Sequence, residues 1–152
     1  MVMPQTELYK AVKHGDVINV RRLLAGGSNP NDASDGLDSL LSVAAARGNT
    51  PTLQLLLDAG AKPDWFALQV AAFGNHAKAV RLLLAAGAPI DAGDTPLLNA
   101  LKQSGFSAEQ MRRVRQLLRE AGARELPEWY LRWRWSIKYG WRWRLKRLRW
   151  SR

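Results

Sequence analysis

Two stretches of similar sequence decide the fold: LLSVAAARGNTPTLQLLLDAGAKPD at residues 40–64 and ALQVAAFGNHAKAVRLLLAAGAPID at residues 67–91. In both, alanines come first, a Gly or Asn follows, and a run of leucines leads to Gly-Ala. Residues 7–31 and 95–123 keep broadly the same order. Each stretch indicates a pair of helices, and self-similarity at a regular period is the signature of stacked repeats. The sequence therefore predicts about four similar units, each a helix pair.

Three recurring residue types suit such a stack. Small side chains let neighbouring first helices approach closely, and they stand at Ala11, Ala44, Ala45, Ala71, Ala72 and Ala100. An apolar stripe for burial is predicted on the second helices at Leu23, Leu24, Leu56, Leu57, Leu83, Leu84, Leu117 and Leu118. Glycine suits the left-handed residue that follows a helix, so we expect Gly60 and Gly87 to end second helices.

The segments GDTPLLNA (93–100), LLLDAGA (55–61) and LLLAAGA (82–88) resemble ankyrin repeats, whose period is about 33 residues and whose signature includes T-P-L-H-x-A. Leu98 stands where that family usually has His. The resemblance covers residues 5–123 and implies an all-α solenoid of stacked helix pairs. It also implies that residues 1–123 form a domain that binds another protein through its finger tips and first-helix surfaces and catalyses nothing.

The spacing of the terminal glycines departs from a constant period. The interval is 33 residues from Gly27 to Gly60, 27 from Gly60 to Gly87, and 35 from Gly87 to Gly122. The short interval predicts the loss of most of the finger, the turn that projects between units two and three. The long interval predicts an extended turn inside unit four, where Ser107 and Gln110 have the spacing of a capping box.

The sequence contains no pattern typical of an enzyme, a cofactor site or a metal site. There is no cysteine, and the phosphate-binding, dinucleotide-binding, zinc-protease and serine-hydrolase patterns are missing. We interpret His14 and His76, which stand beside predicted turns, as turn hydrogen-bonding residues. The first ten residues do not resemble a secretory signal, and no apolar run is long enough to span a membrane. These features lead us to expect a protein without catalytic residues or cofactors that is cytoplasmic or is exported by a route that reads no cleavable signal.

Two groups of residues are candidates for binding a protein partner. Asp32, Asp35 and Asp38 lie in the finger between units one and two, where they form either a solvated loop or an acidic surface for a basic partner. Trp65 and Phe66 lie in the shortened connection. There they either fill the space of the missing finger or form a binding hot spot, in which Trp is enriched.

Positive charge is concentrated in a C-terminal arm, residues 124–152. The chain has a net charge of +10, but residues 1–123 hold 13 basic and 11 acidic side chains, while the arm holds 10 and 2. Six of the seven tryptophans also lie in the arm. We therefore divide the chain into a repeat domain and a basic aromatic arm.

The arm alternates apolar and polar residues, with every odd position from Trp129 to Leu145 apolar. Period two predicts a strand with one apolar and one charged face, and a three-residue loop at 138–140 gives a β-hairpin that keeps the faces separate. The apolar face contains Trp133, Trp135, Trp141 and Trp143. The candidate anion-binding residues are Arg132, Arg134, Lys138, Arg142, Arg144, Lys146, Arg147 and Arg149.

Three interpretations of the arm stay open. Its apolar face suits a cap on the last repeat, because terminal repeats otherwise expose apolar surface. Alternating Trp and Arg also resemble cationic Trp-rich membrane-active peptides, which suggests association with an anionic membrane surface. The same residue types bind nucleic acid through phosphate contacts and base stacking.

Overall fold

The computed structural model describes residues 7–32, 39–90, 97–101, 106–107, 109–124 and 127. Within these ranges the regular structure is helical and contains no strand. The helices are α1 (Glu7–His14), α2 (Val17–Ala25), α3 (Leu40–Ala46), α4 (Thr50–Asp58), α5 (Trp65–Phe73), α6 (Ala77–Ala85), α7 (Leu97–Ala100) and α8 (Arg112–Glu120). The all-α prediction is confirmed for this part of the chain. The hairpin predicted for the arm lies outside the described residues.

The helices form two layers. Within units one to three, each first helix packs on its second helix, as α1 on α2, α3 on α4 and α5 on α6. The first helices α1, α3 and α5 contact one another in succession, and so do the second helices α2, α4, α6 and α8. This ladder is the predicted solenoid, and its core lies between the two layers.

The core confirms the predicted alanines of units one to three and corrects the predicted leucine stripe. Ala44, Ala45, Ala71 and Ala72 have no exposed surface. Of the eight predicted leucines, three are fully buried, namely Leu56, Leu83 and Leu118. The others are only partly buried: Leu23, Leu24, Leu57, Leu84 and Leu117. Adjacent helical residues point about 100° apart, so in units two to four one leucine of each pair faces the edge of the core, and in unit one neither is fully buried. The buried side is completed one turn earlier by Val20, Leu53, Val80 and Val114.

Residues with a left-handed backbone conformation, that is a positive φ, occur in the turns at the expected positions. Gly60 and Gly87 have φ of +88° and +84° and directly follow the C-caps of α4 and α6, which confirms that they end second helices. Between paired helices the same conformation occurs at Gly48 and, with φ of +58°, at Asn75. Asn is the side chain that tolerates this region best apart from Gly.

The capping residues of neighbouring first helices are hydrogen-bonded to each other. Ser39 caps α3 by accepting from the Ser42 N–H at 3.1 Å, and Asp64 caps α5 by accepting from the Ala67 N–H at 2.7 Å. The Ser39 hydroxyl also donates to the second carboxylate oxygen of Asp64 at 2.6 Å. One carboxylate therefore both starts α5 and ties it to α3.

The shortened connection places α5 differently from α3. Helix α5 starts five residues after Gly60, whereas α3 starts thirteen residues after Gly27. In the repeat register Ala67 corresponds to Leu40, so α5 begins two residues early. The sequence analysis placed Trp65 and Phe66 in a linker, and this was wrong. They form the first turn of α5, because Asp64 caps the helix directly before them.

The capping box before α8 is confirmed. The Ser107 N–H donates to the side-chain oxygen of Gln110 at 2.8 Å, and the Gln110 N–H donates to the Ser107 hydroxyl at 3.2 Å. Regular helix then begins at Arg112 after a short turn. The reciprocal pair satisfies two backbone donors of this turn.

We expect Leu56→Ala and Leu83→Ala each to lower the free energy of unfolding by about 2 to 5 kcal/mol, because each leaves a cavity in a fully buried site. Urea denaturation of the two variants measures the effect. Leu57→Ala is the matched control, since this neighbouring side chain is only partly buried, and we expect a smaller loss. Equal losses at Leu56 and Leu57 would contradict the burial pattern.

We expect Asp64→Ala to destabilise the protein more than Asp16→Ala. Asp16 caps α2 by accepting from the Asn19 N–H, and hydrogen bonds from Asn19 lower the pKa of its carboxyl. Each substitution removes a cap of about 1 kcal/mol and one further side-chain bond, from Asn19 at Asp16 and from Ser39 at Asp64. The Asn19 bond lies within α2, whereas the Ser39 bond joins two helices, so we expect its loss to add about 0.5 to 1.5 kcal/mol. Urea denaturation compares them, and equal losses would show that the bond between helices contributes no more than the local one.

Candidate functional site

Helix α5 is apolar on two opposite sides. Its buried side consists of Ala67, Leu68, Ala71 and Ala72. The residues at the opposite helical positions are Phe66, Gln69, Val70 and Phe73, which we call the α5 stripe. All four are half-buried, and Val70 and Phe73 pack partly against the core. Their i, i+3, i+4, i+7 spacing places them on one side of the helix. Helices that are apolar all round are normally enclosed by other protein, so the α5 stripe is a candidate contact surface.

Trp65 extends the α5 stripe at its N-terminal end. Its side chain is 43% exposed, one of the exposed large apolar side chains of the described residues. The Trp65 and Phe66 rings meet edge to face, with their centroids 5.8 Å apart. The structure therefore brings the two predicted aromatic residues together, with Trp65 facing solvent more than Phe66.

The neighbouring first helices have different surfaces. Helix α1 exposes Glu7 and Lys10, which form an ion pair at 2.9 Å, together with Lys13 and His14. Helix α3 ends in exposed Ala46 and Arg47. Among these first helices, the large apolar side chains that are not fully buried are thus concentrated on α5. This makes unit three the centre of the candidate site.

Asn31 ties the connection before α5 to unit one. Its side-chain amide donates to the Gly60 carbonyl at 3.1 Å, and its side-chain oxygen accepts from the Lys62 N–H at 2.7 Å. Sequence analysis did not single out this residue. A signal was present, because Asn31 and Asp64 each stand four residues after a helix-ending glycine, at the point where one unit meets the next.

His76 fixes the other end of α5, from the turn between α5 and α6. A ring nitrogen lies 3.1 Å from the Ala46 carbonyl oxygen at the end of α3, which agrees with its interpretation as a turn hydrogen-bonding residue. The ring also fills the space beside two glycines, since a Cβ at Gly48 would lie 2.5 Å from it and one at Gly74 would lie 2.6 Å from it. With the Ser39–Asp64 bond, these contacts fix α5 to α3 at both ends.

The predicted acidic group is only partly described. Asp32 is half-buried and its N–H donates to the Asn29 carbonyl at 3.2 Å. Asp35 and Asp38 lie outside the described residues, as do the arm residues from Trp129 onward. These groups remain predictions.

Two kinds of feature, metal-binding clusters and membrane-spanning helices, are absent from the described ranges. No cluster of three or more His, Asp or Glu side chains there is arranged to hold a metal ion. None of the helices in those ranges is both long enough and apolar enough to cross a membrane.

Comparisons with known proteins identify the repeats. The family model described as "Ankyrin repeats (3 copies)" matches residues 41–124. The crystal structure of the human ASB11 ankyrin repeat domain is similar, with a TM-score of 0.66 and 21% sequence identity. The match covers 78% of this chain and 55% of that domain, so the chain spans about half its length. At this identity the likeness shows the fold alone.

No curated protein sequence matches the chain significantly. The family model nevertheless extends over more than half of the residues, in the register in which the structure places units two to four. The chain belongs to the ankyrin repeat family.

Proposed function

We propose that this protein is a non-enzymatic adaptor or inhibitor that binds a protein partner through Trp65 and the α5 stripe. Ankyrin repeats generally mediate protein–protein interaction, and their fold is typically a binding scaffold without catalysis. The observation that supports this location is the apolar surface of α5 opposite its buried side.

The chemistry of this surface suits an apolar partner segment. An aromatic side chain has about 150 to 250 Å² of surface to bury, and a large part of Trp65 remains exposed. Removing apolar surface from water contributes about 25 cal/mol for each Å². Gln69 adds one amide to an otherwise apolar stripe, and such a group orients a partner more than it adds affinity. A leucine-rich or aromatic helix or loop therefore fits this surface.

Rigidity favours binding at the same place. The bonds of Ser39 to Asp64 and of His76 to Ala46 hold α5 against α3 before any partner arrives. A preformed surface loses less conformational entropy on binding. Asp32, Asp35 and Asp38, which follow one another in the finger sequence, would attract basic partner residues, and such charges act mainly on the association rate.

The arm contributes a second part of the proposal, affinity for an anionic surface. Its composition supports this, since residues 124–152 hold 10 basic and only 2 acidic side chains together with six tryptophans. An anionic membrane and nucleic acid both satisfy that chemistry, and a cap over the last repeat is the alternative without a ligand. A cytoplasmic location, with or without membrane-surface association, is part of this proposal.

We expect the double variant Trp65→Ala with Gln69→Arg to lose the protein partner while keeping the fold. The first substitution removes the exposed aromatic ring, and the second places a charge within the α5 stripe, so binding should weaken about tenfold or more. The matched control is Ile18→Ala with Gln54→Arg, because both residues are exposed on second helices. Affinity capture from cells, quantified by mass spectrometry, compares the two variants, and thermal melting checks their folding.

Partners retained by the control and lost by the α5 variant support the proposal. If the two variants retain the same proteins in the same amounts, the α5 stripe is not the binding surface. Loss from both variants equally would mean that binding depends on general surface properties, which also contradicts the proposal.

Substitutions on the two faces of the arm should have different effects. Replacing the four arginines Arg132, Arg134, Arg142 and Arg144 by Gln should weaken binding to anionic vesicles or oligonucleotides and make its salt dependence shallower, because fewer counterions are released. Replacing Trp133, Trp135 and Trp143 by Ala should instead lower thermal stability. If deleting residues 129–152 changes neither stability nor anion binding, the proposed role of the arm is wrong.

A further inference from the structure

The second helices of units three and four present a surface that none of the preceding roles uses. Five cationic side chains are exposed there, and we call them the outer basic face: Lys78, Arg81, Arg112, Arg113 and Arg119. The first two lie on α6 and the other three on α8, and these two helices are in contact. All five residues of the face therefore lie on described helices, and none of them belongs to the arm, residues 124–152.

The repeat register aligns one pair of these cations across the two helices. Lys78 stands nine residues before Gly87, and Arg113 stands nine residues before Gly122. Equivalent residues on packed helices lie about one interhelical spacing apart, roughly 8 to 10 Å. Arg112 and Arg119 are seven residues apart on α8, two turns along the same side. Lys78 and Arg113 thus form one aligned pair across the two helices, and Arg112 and Arg119 add charge along α8.

Among the described residues of α6 and α8 the only acid is Glu120, at the C-terminal end of α8. Helix α6 contains no Asp or Glu. Glu109 pairs with Arg112 at 3.4 Å, but both side chains are more than three-quarters exposed, so the pair is weak. Helix α4 has neither Lys nor Arg and ends with Asp58, which limits the face on the side of unit two.

The composition of the face favours nucleic acid over a membrane or an acidic protein. Four of its five cations are arginines, whose planar guanidinium binds phosphate oxygens in pairs. Docking on a membrane needs large apolar side chains on the same face, but the exposed ones among the described residues are Ile18, Trp65 and Phe106, none of them on α6 or α8. A protein interface likewise needs an apolar centre, whereas phosphate contacts need none.

We propose that the outer basic face binds nucleic acid through its phosphate backbone, without preference for base sequence. The cations contact phosphates, and contacts to phosphates carry no sequence information. Neither the α5 stripe nor the arm is needed for this proposal, because every residue that supports it lies on α6 or α8. A protein partner on α5 and a nucleic acid on the second helices would occupy different layers of the solenoid.

The test compares two double variants of the full chain that each remove two positive charges. Lys78→Gln with Arg81→Gln changes the outer basic face, and Arg21→Gln with Arg22→Gln is the control on α2, whose residues are equally exposed. Arg21 and Arg81 both stand six residues before a helix-ending glycine, so the structural context is matched. Fluorescence anisotropy measures binding to a labelled DNA duplex at several salt concentrations.

We expect the α6 variant to bind about tenfold or more weakly at low salt and to lower the slope of log affinity against log salt by about 1.8, since each lost phosphate contact removes about 0.9. The α2 control should keep its slope. Thermal melting should be unchanged in both, as the four residues are exposed. The Trp65→Ala, Gln69→Arg variant should bind DNA normally, which separates this proposal from the one on α5.

Four other outcomes would overturn the proposal. Equal losses in the α6 and α2 variants would mean that only net charge matters. Unchanged binding in the α6 variant, with complete loss in the arm variant that lacks Arg132, Arg134, Arg142 and Arg144, would assign DNA binding to the arm alone. If polyglutamate binding depends on Lys78 and Arg81 as strongly as DNA binding does, the partner of the face is an acidic protein. If binding to phosphatidylserine vesicles requires these residues and binding to DNA does not, the partner of the face is a membrane.

Discussion

The structure depends on the close approach of neighbouring first helices, which requires that almost no side-chain bulk stands between them. Ala44 and Ala45 of α3 and Ala71 and Ala72 of α5 are fully buried, in the place where the two helices pack. A larger side chain there would separate the helices and break the Ser39–Asp64 bond of 2.6 Å. In units one to three the second layer follows, because each second helix is joined to its first helix by a turn of two or three residues.

Much of the fold could be predicted from the sequence, because small residues and glycines recur in register. The direction in which individual side chains point and the residue at which a helix begins could not be predicted. A pair of adjacent leucines such as Leu56 and Leu57 does not show which one faces the core. The 27-residue interval from Gly60 to Gly87 likewise shows that the connection is shortened, but it does not show at which residue α5 begins. Asp64, a good N-cap residue immediately before Trp65, was the signal that α5 starts there.

The candidate site was only half predictable. Trp65 and Phe66 were found because two large aromatics stand out in a short connection, but Val70 and Phe73 were missed. In the repeat register they read as ordinary helix positions, and their exposure depends on how α5 lies between α3 and α6. The segment WFALQVAAF, apolar all along α5, carried the signal. Asn31 was missed because its partners, Gly60 and Lys62, are about thirty residues away in a different unit.

The contact of His76 with Gly48 links the evolution of two positions in different units. Asn75 shows that this chain accepts a side chain at a left-handed turn position, so Asn would be a natural alternative at position 48. Its Cβ would nevertheless meet the His76 ring at 2.5 Å, whereas at Gly15 the nearest atom, on Asn49, is 3.0 Å away. A side chain at position 48 therefore displaces the His76 ring from its bond to Ala46, unless position 76 has already lost that ring. The two sites are epistatic, and the order of their substitutions is constrained.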